Sequence, residues 1–155
     1  MTHLKEGDKA PQFEFIDHQG DQKSLAQFKG SKVILYFYPR DNTPGCTAEA
    51  CNLRDNYQDL KDLGYEVVGV SADSEKSHGK FRDKFDLPFY LISDTDKKVL
   101  EDYGVWGEKK MMGRTYMGIH RLTFVIDENG LIKKIFTKVN TKAHTQQILD
   151  EMQNK

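Results

Sequence analysis

Apolar residues fall along this chain in short, regularly spaced blocks, and their period changes from block to block. Phe13-Glu-Phe15 alternates, which predicts a half-exposed strand followed by a turn at Asp17 to Gly20. Val33 to Tyr38 is apolar throughout, the pattern of a central strand covered on both faces. Pro44 to about Leu63 reads as a helix stopped by Gly64. Glu66 to Val70 is a second buried strand, and Ser74 to Phe85 a helix with Phe81 and Phe85 on one face. A short strand at Tyr90 to Ile92 and a short helix at Lys97 to Tyr103 follow. Leu122 to Ile126 and Leu131 to Val139 flank Asp127-Glu-Asn-Gly130, a hairpin turn. Thr141 to Met152 is a last helix, with Ile148, Leu149 and Met152 facing inward. Gly104 to His120, with four glycines, fits no element and is expected to be a loop, a length of loop that is often functional.

Strands alternating with helices, then a hairpin and a helix, imply an α/β fold with a central mixed sheet and helices on both faces. The 155 residues fit one domain, 1–155. A domain of this size buries roughly 70% of its unfolded surface and needs no metal or disulfide staple. Lys plus Arg (23) balances Asp plus Glu (24), so no basic excess argues for a nucleic-acid partner. The longest apolar run, Val33 to Tyr38, is far short of a membrane span. The first residues contain no apolar signal region. The expectation is a cytoplasmic protein, in which two cysteines are a working pair rather than a structural bridge.

The informative stretch is Tyr38-Pro-Arg-Asp-Asn-Thr-Pro-Gly-Cys-Thr-Ala-Glu-Ala-Cys51. It leaves the most apolar strand and enters a helix, and sites in α/β sheets gather at the carboxyl ends of strands. Thr43 is the expected N-cap, with Pro44 at the first helical position. Cys46 then sits in the first turn, where unpaired N–H groups and the helix dipole favour a thiolate. Cys46, Ala50, Leu53, Tyr57 and Leu60 share one stripe, which should pack on the sheet. Cys51 lies about 140° round the axis, off that stripe, and in an intact helix the two Cα atoms are roughly 8–9 Å apart. A disulfide needs less than about 7 Å. Either the two never bond or the helix start unwinds. Two unrelated thiols remain the bland alternative, since free cysteines are often small core residues. A first-turn cysteine after Thr-Pro-Gly weighs against it.

Pro39-Arg-Asp-Asn-Thr43-Pro-Gly-Cys46-Thr-Ala-Glu-Ala-Cys51 closely resembles the active-site segment of peroxiredoxins. The second cysteine five residues on marks the bacterioferritin-comigratory-protein (PrxQ) subgroup. The likeness covers essentially the whole chain, including Gly7 to Pro11, Tyr103 to Gly107 and Arg121 to Asp127. It implies a thiol peroxidase on a thioredoxin-like fold with an N-terminal β extension. Cys46 would be the peroxidatic cysteine and Cys51 the resolving one. Pro39 would shield the thiolate, Thr43 hydrogen-bond the peroxide, and Arg121 hold thiolate and peroxide together. Glu49 matches a polar residue that supports this network. The implied partners are a hydroperoxide and a thioredoxin-type dithiol. No cofactor is implied, and subgroup members are often monomeric.

Weaker signals surround this one. The five histidines (His3, His18, His78, His120, His144) show no metal-ligand spacing and read as surface or turn residues. Met111, Met112 and Met117 read as apolar anchors over the active site, and Lys109, Lys110 and Arg114 as a solvated face. A competing function is a copper-binding or thiol-exchange thioredoxin-like protein using Cys46, Cys51 and His120. Copper carriers usually have three residues between their cysteines, and here there are four. A disulfide oxidoreductase lacks its Cys-x-x-Cys motif here.

Overall fold

The computed structural model describes residues 2–153. Its centre is a five-stranded sheet in the order β5-β4-β3-β8-β9. The first three of these, β3 (Lys32–Phe37), β4 (Tyr65–Ser71) and β5 (Tyr90–Ser93), run parallel; β8 (Leu122–Ile126) and β9 (Ile132–Phe136) join antiparallel. The apolar run at Val33 to Tyr38 is buried from end to end, as a middle strand requires.

Because side chains alternate across a strand, β3 divides the core in two. Val33, Leu35 and Phe37 point into one cluster with Phe13, Phe15, Tyr103 and Phe124. Ile34, Tyr36 and Tyr38 point into the other, with Cys46, Ala50, Leu53 and Phe81. Tyr36 pairs with Gly69 across the sheet, and a Cβ there would meet the Tyr36 ring at 2.8 Å. Glycine at position 69 is what lets that ring lie down over β4.

On the second face lie α1 (Pro44–Asp55), α2 (Tyr57–Asp62), α3 (Glu75–Phe85) and α5 (His144–Gln153); a short α4 (Lys98–Asp102) puts Val99 and Leu100 in the first cluster. Asn52 ties α5 to α1: its Oδ1 accepts from Thr145 N at 2.8 Å and its Nδ2 donates to Lys142 O at 3.2 Å. β1 (Glu14–Ile16) and β2 (Gln22–Ser24) form the N-terminal hairpin apart from the main sheet.

Two expectations change. The helix from Pro44 does not run to Leu63; Asn56 separates α1 from α2. Residues 104–120 are not a loop. They form a hairpin, β6 (Trp106–Met111) with β7 (Arg114–Ile119), turning at Met112-Gly113, both at positive φ. Its strands alternate poorly because most of the hairpin stands clear of the core, so no apolar face marks it. No helix among the described residues is long and apolar enough to cross a membrane.

Candidate active site

The loop from Tyr38 to Thr43 is held by a buried polar knot. Tyr38 Oη donates to Asp41 Oδ1 at 2.6 Å, and Ser77 Oγ to Asp41 Oδ2 at 2.7 Å. His78 Nδ1 stands 2.7 Å from Asp41 Oδ2, and its Nε2 lies 3.0 Å from Ile92 O. Asp41 N donates to Asp73 Oδ2 at 2.8 Å. Burial would raise the Asp41 carboxyl, but the hydrogen bonds from His78, Tyr38 and Ser77 hold it below its ordinary value. Asp41, Asp73 and His78 also converge closely enough to suggest a metal, yet both Asp41 oxygens and both His78 nitrogens already have protein partners. The knot fixes the loop that delivers Thr43 and Cys46.

Thr43 is the N-cap of α1 with extended φ and ψ of −92° and 157°. Its hydroxyl does not cap the helix, however. It turns back and donates to Arg40 O at 2.9 Å, so the Thr43 side chain does not take up the first-turn N–H groups. Cys46 is 1% exposed within that turn, and Cys51 is half-buried further along the same helix; both are free thiols. Cys46, Ala50, Leu53 and Leu60 are buried as the stripe predicts, with Tyr57 half-buried against them.

Arg121 arrives from the bend between β7 and β8, pinned by His120 N donating to Val105 O at 2.8 Å. Its Nη2 donates to Cys46 Sγ at 3.4 Å and its Nη1 to Glu49 Oε1 at 2.7 Å. Burial works against the guanidinium charge, but Cys46 and Glu49 outweigh it and hold Arg121 above its ordinary value. Glu49 is fully buried one helical turn below Cys46. Burial, only partly offset by Arg121, pushes its carboxyl up to about 7.

Pro39 and Thr43 also wall a cavity of about 420 Å³ completed by Trp106, Lys109, Tyr116 and Met117. The β6–β7 hairpin therefore borders the site, through Trp106 and Met117. Met111 and Met112 do not: they are 60% and 97% exposed at the hairpin tip, because the turn carries them outward. Lys109 is no solvated residue either. It is half-buried, and its Nζ donates to Ile119 O at 2.9 Å.

The structure thus brings Pro39, Thr43, Cys46, Glu49 and Arg121 to one end of the sheet, with Cys51 on the same helix. Sequence reasoning missed Asp41, although it lies inside the singled-out segment. It also misread His78 and His144, which are 2% and 0% exposed. An isolated histidine carries no local signal of burial; both are enclosed by distant elements. Cys46, Cys51 and His120 do not converge as a ligand group among the described residues, and His120 Nε2 lies 2.9 Å from Glu108 O.

The AhpC/TSA family pattern matches residues 6–135. The chain is 47% identical to peroxiredoxin Bcp of Escherichia coli K12 over 150 residues, covering 97% of this chain and 96% of that one. It is 43% identical to peroxiredoxin Bcp of Bacillus subtilis over 148 residues, covering 96% and 94%. Among solved structures, a mutant of Xylella fastidiosa PrxQ superposes with a TM-score of 0.91 at 29% identity, covering 99% and 98% of the two chains. Xanthomonas campestris bacterioferritin comigratory protein, described for its alkyl peroxide reduction activity, gives 0.88 at 30% identity, covering 97% and 98%. The chain belongs to the AhpC/TSA family. It is a peroxiredoxin, a thiol peroxidase on the thioredoxin fold of these neighbours.

Proposed function

We propose that this peroxiredoxin reduces hydrogen peroxide and organic hydroperoxides in an atypical two-cysteine cycle, with a thioredoxin-type dithiol as reductant. The observation that carries the reading is the Arg121 fork, one arm on Cys46 Sγ and the other on buried Glu49. A guanidinium stays charged throughout and presents several donors in one plane. It stands against the Cys46 sulfur and offers a donor where charge develops as the O–O bond breaks.

Cys46 thiolate attacks the terminal peroxide oxygen. An S–O bond forms, the O–O bond breaks, and the alkoxide or hydroxide leaves with the electron pair and is protonated. Thr43 and Pro39 line the approach, Thr43 as a hydroxyl partner for peroxide and Pro39 as a cover on the thiolate. Cys51 then attacks the Cys46 sulfenic acid, forming a disulfide and releasing water. The external dithiol takes up the disulfide by exchange. The cavity beside Pro39 supports organic hydroperoxides as substrates, as does the activity ascribed to the Xanthomonas neighbour. Two free thiols suit a reducing compartment, and we place the protein in the cytoplasm as a monomer.

NADPH oxidation in a thioredoxin-coupled assay, with hydrogen peroxide and several organic hydroperoxides, tests the reading. Turnover in the wild type and none in Cys46→Ser is expected. Turnover in Cys46→Ser, or none in the wild type with any dithiol, overturns it.

A further inference from the structure

Behind Arg121 lies a pair of buried groups, the Glu49 of its fork and a histidine, that take part in no covalent step of the peroxidase cycle. Glu49 on α1 and His144 on α5 are both 0% exposed, with His144 Nε2 3.7 Å from Glu49 Oε2. Glu49 Oε1 accepts from Arg121, but Oε2 has no hydrogen-bond partner among the described residues. A buried oxygen without a donor is costly as a carboxylate and tolerable as the O–H of a neutral acid.

The hydrogen bonds around His144 decide which of its nitrogens carries a proton. Gln147 Nε2 donates to Lys138 O at 2.7 Å, and Gln147 Oε1 accepts from Asn140 N at 2.9 Å, so the amide orientation is fixed. That same Oε1 stands 2.9 Å from His144 Nδ1, which therefore donates to it. Burial, only partly offset by the Gln147 hydrogen bond, lowers His144 to about 4, leaving the ring neutral. A neutral ring protonated at Nδ1 presents a lone pair at Nε2. That lone pair accepts the Thr123 O–H at 2.8 Å, so no proton lies between Nε2 and Glu49 Oε2, 3.7 Å away. The neutral ring therefore gives Oε2 neither a donor nor a positive charge, and a buried oxygen without either favours the acid over the carboxylate.

The charged and titratable groups around Glu49 are few. Cys46 shares its helix, and Arg121 comes from the β7–β8 bend. Tyr36 comes from β3, its buried hydroxyl held neutral by burial and by Glu49. Lys109 on β6 is spent on Ile119 O. Arg121 is thus the cation in contact, and two anions compete for it. We propose that Glu49 and the Cys46 thiolate alternate as the single anion balancing Arg121, Glu49 staying protonated beside the neutral His144 ring while the thiolate awaits peroxide.

The inference rests on the peroxidase reading and completes its proton balance. When the S–O bond forms, Cys46 becomes a neutral sulfenic acid and the alkoxide leaves with the electron pair. Glu49 then ionises and takes over Arg121. The proton it releases equals the one the alkoxide gains on becoming an alcohol. Glu49 and His144 act as positioning residues, through Arg121 and through each other.

Infrared difference spectroscopy tests this in a Cys51→Ser background, which stops at the sulfenic acid. Reduced protein at about pH 6 should show a carboxylic-acid C=O band that is lost on one equivalent of peroxide, with a carboxylate band gained. Glu49→Gln should lack both changes, and His144→Leu should shift the acid band. If His144→Leu does not fold, ¹⁵N-histidine NMR of the parent protein replaces it, and the Nε2 resonance should move on oxidation. Mass spectrometry of the same sample separates the two readings. Without sulfenic acid, the peroxidase reading fails. With sulfenic acid but no loss of the acid band, or with an unmoved His144 response, the alternation fails alone.

Discussion

The Arg121 guanidinium lies so close to Gly45 that a Cβ at that position would stand 3.2 Å from Nη2. This is the arm that reaches Cys46. Gly45 is thus the residue that lets the guanidinium settle onto the first turn of α1. Gly45→Ala should move the two outcomes in opposite directions. Alanine is the better helix former by up to about 1 kcal/mol, so stability should be unchanged or raised. Peroxide reduction should slow by about tenfold, because small displacements of a charge-stabilising donor are costly to rate. Stopped-flow oxidation and urea denaturation of the same variant measure both. An unimpaired rate would show that Arg121 adapts freely.

The buried pair behind Arg121 sets a pH signature. Glu49 is raised from 4.5 to about 7 by burial, so its contribution to stability is present below pH 4.5 and lost as pH rises to about 7. His144 is lowered from 6.5 to about 4 by burial, so its contribution is present above pH 6.5 and lost as pH falls to about 4. Across about pH 4.5–6.5 these slopes, each about 1.4 kcal/mol per unit, oppose and cancel. Relative to the wild type, Glu49→Gln should therefore gain stability as pH rises through this window, and His144→Gln should lose it. Urea midpoints at several pH values check the signs. Curves parallel to the wild type would remove both groups from the titration.

The two cysteines cannot bond as they stand. Both lie on the unbroken helix Pro44–Asp55, where five residues separate Cα atoms by roughly 8–9 Å against the 7 Å or so a disulfide allows. Oxidation by one equivalent of peroxide should yield an intramolecular 46–51 bridge in mass spectrometry. Amide exchange across residues 44–53 should rise in the same sample. The knot around Asp41 should hold the preceding loop, so exchange at residues 38–41 should change little. An intermolecular bridge, or unchanged exchange in the helix, would refute local unwinding.

Substrate preference should follow the hairpin wall and not its tip. Met117→Ala enlarges the cavity beside Pro39 and Thr43, so the ratio of rates for bulky over small hydroperoxides should change by several-fold. Met112→Ala, 97% exposed, should leave that ratio as it is. Parallel kinetics with cumene hydroperoxide and hydrogen peroxide provide the comparison, and equal effects of the two substitutions would remove the wall from the substrate site.

The sequence by itself determined the layered α/β architecture, the central strand Val33 to Tyr38, and the first-turn setting of Cys46. Each is a local property: an unbroken apolar run, a Pro-Gly helix start, a stripe at helical spacing. The offset of Cys51 from that stripe is equally local, a consequence of 3.6 residues per turn. Arg121 and Glu49 were legible through the resemblance of the segments that hold them.

Tertiary structure alone decided what distant elements bring together. The β6–β7 hairpin was unreadable because strands that stand clear of the core carry no apolar face, and its turn depends on positive φ at Met112 and Gly113. His78 and His144 read as surface residues because burial is conferred by partners 37 and 21 positions away, Asp41 and Thr123. Thr43 occupies the N-cap position its sequence predicts, yet its hydroxyl answers to Arg40, a choice set by the loop's path. The ionisation of Glu49 depends on the closure of α5 over α1, which removes water from one carboxylate oxygen and leaves the other to Arg121. Desolvation belongs to the packed molecule, and no stretch of sequence carries it alone.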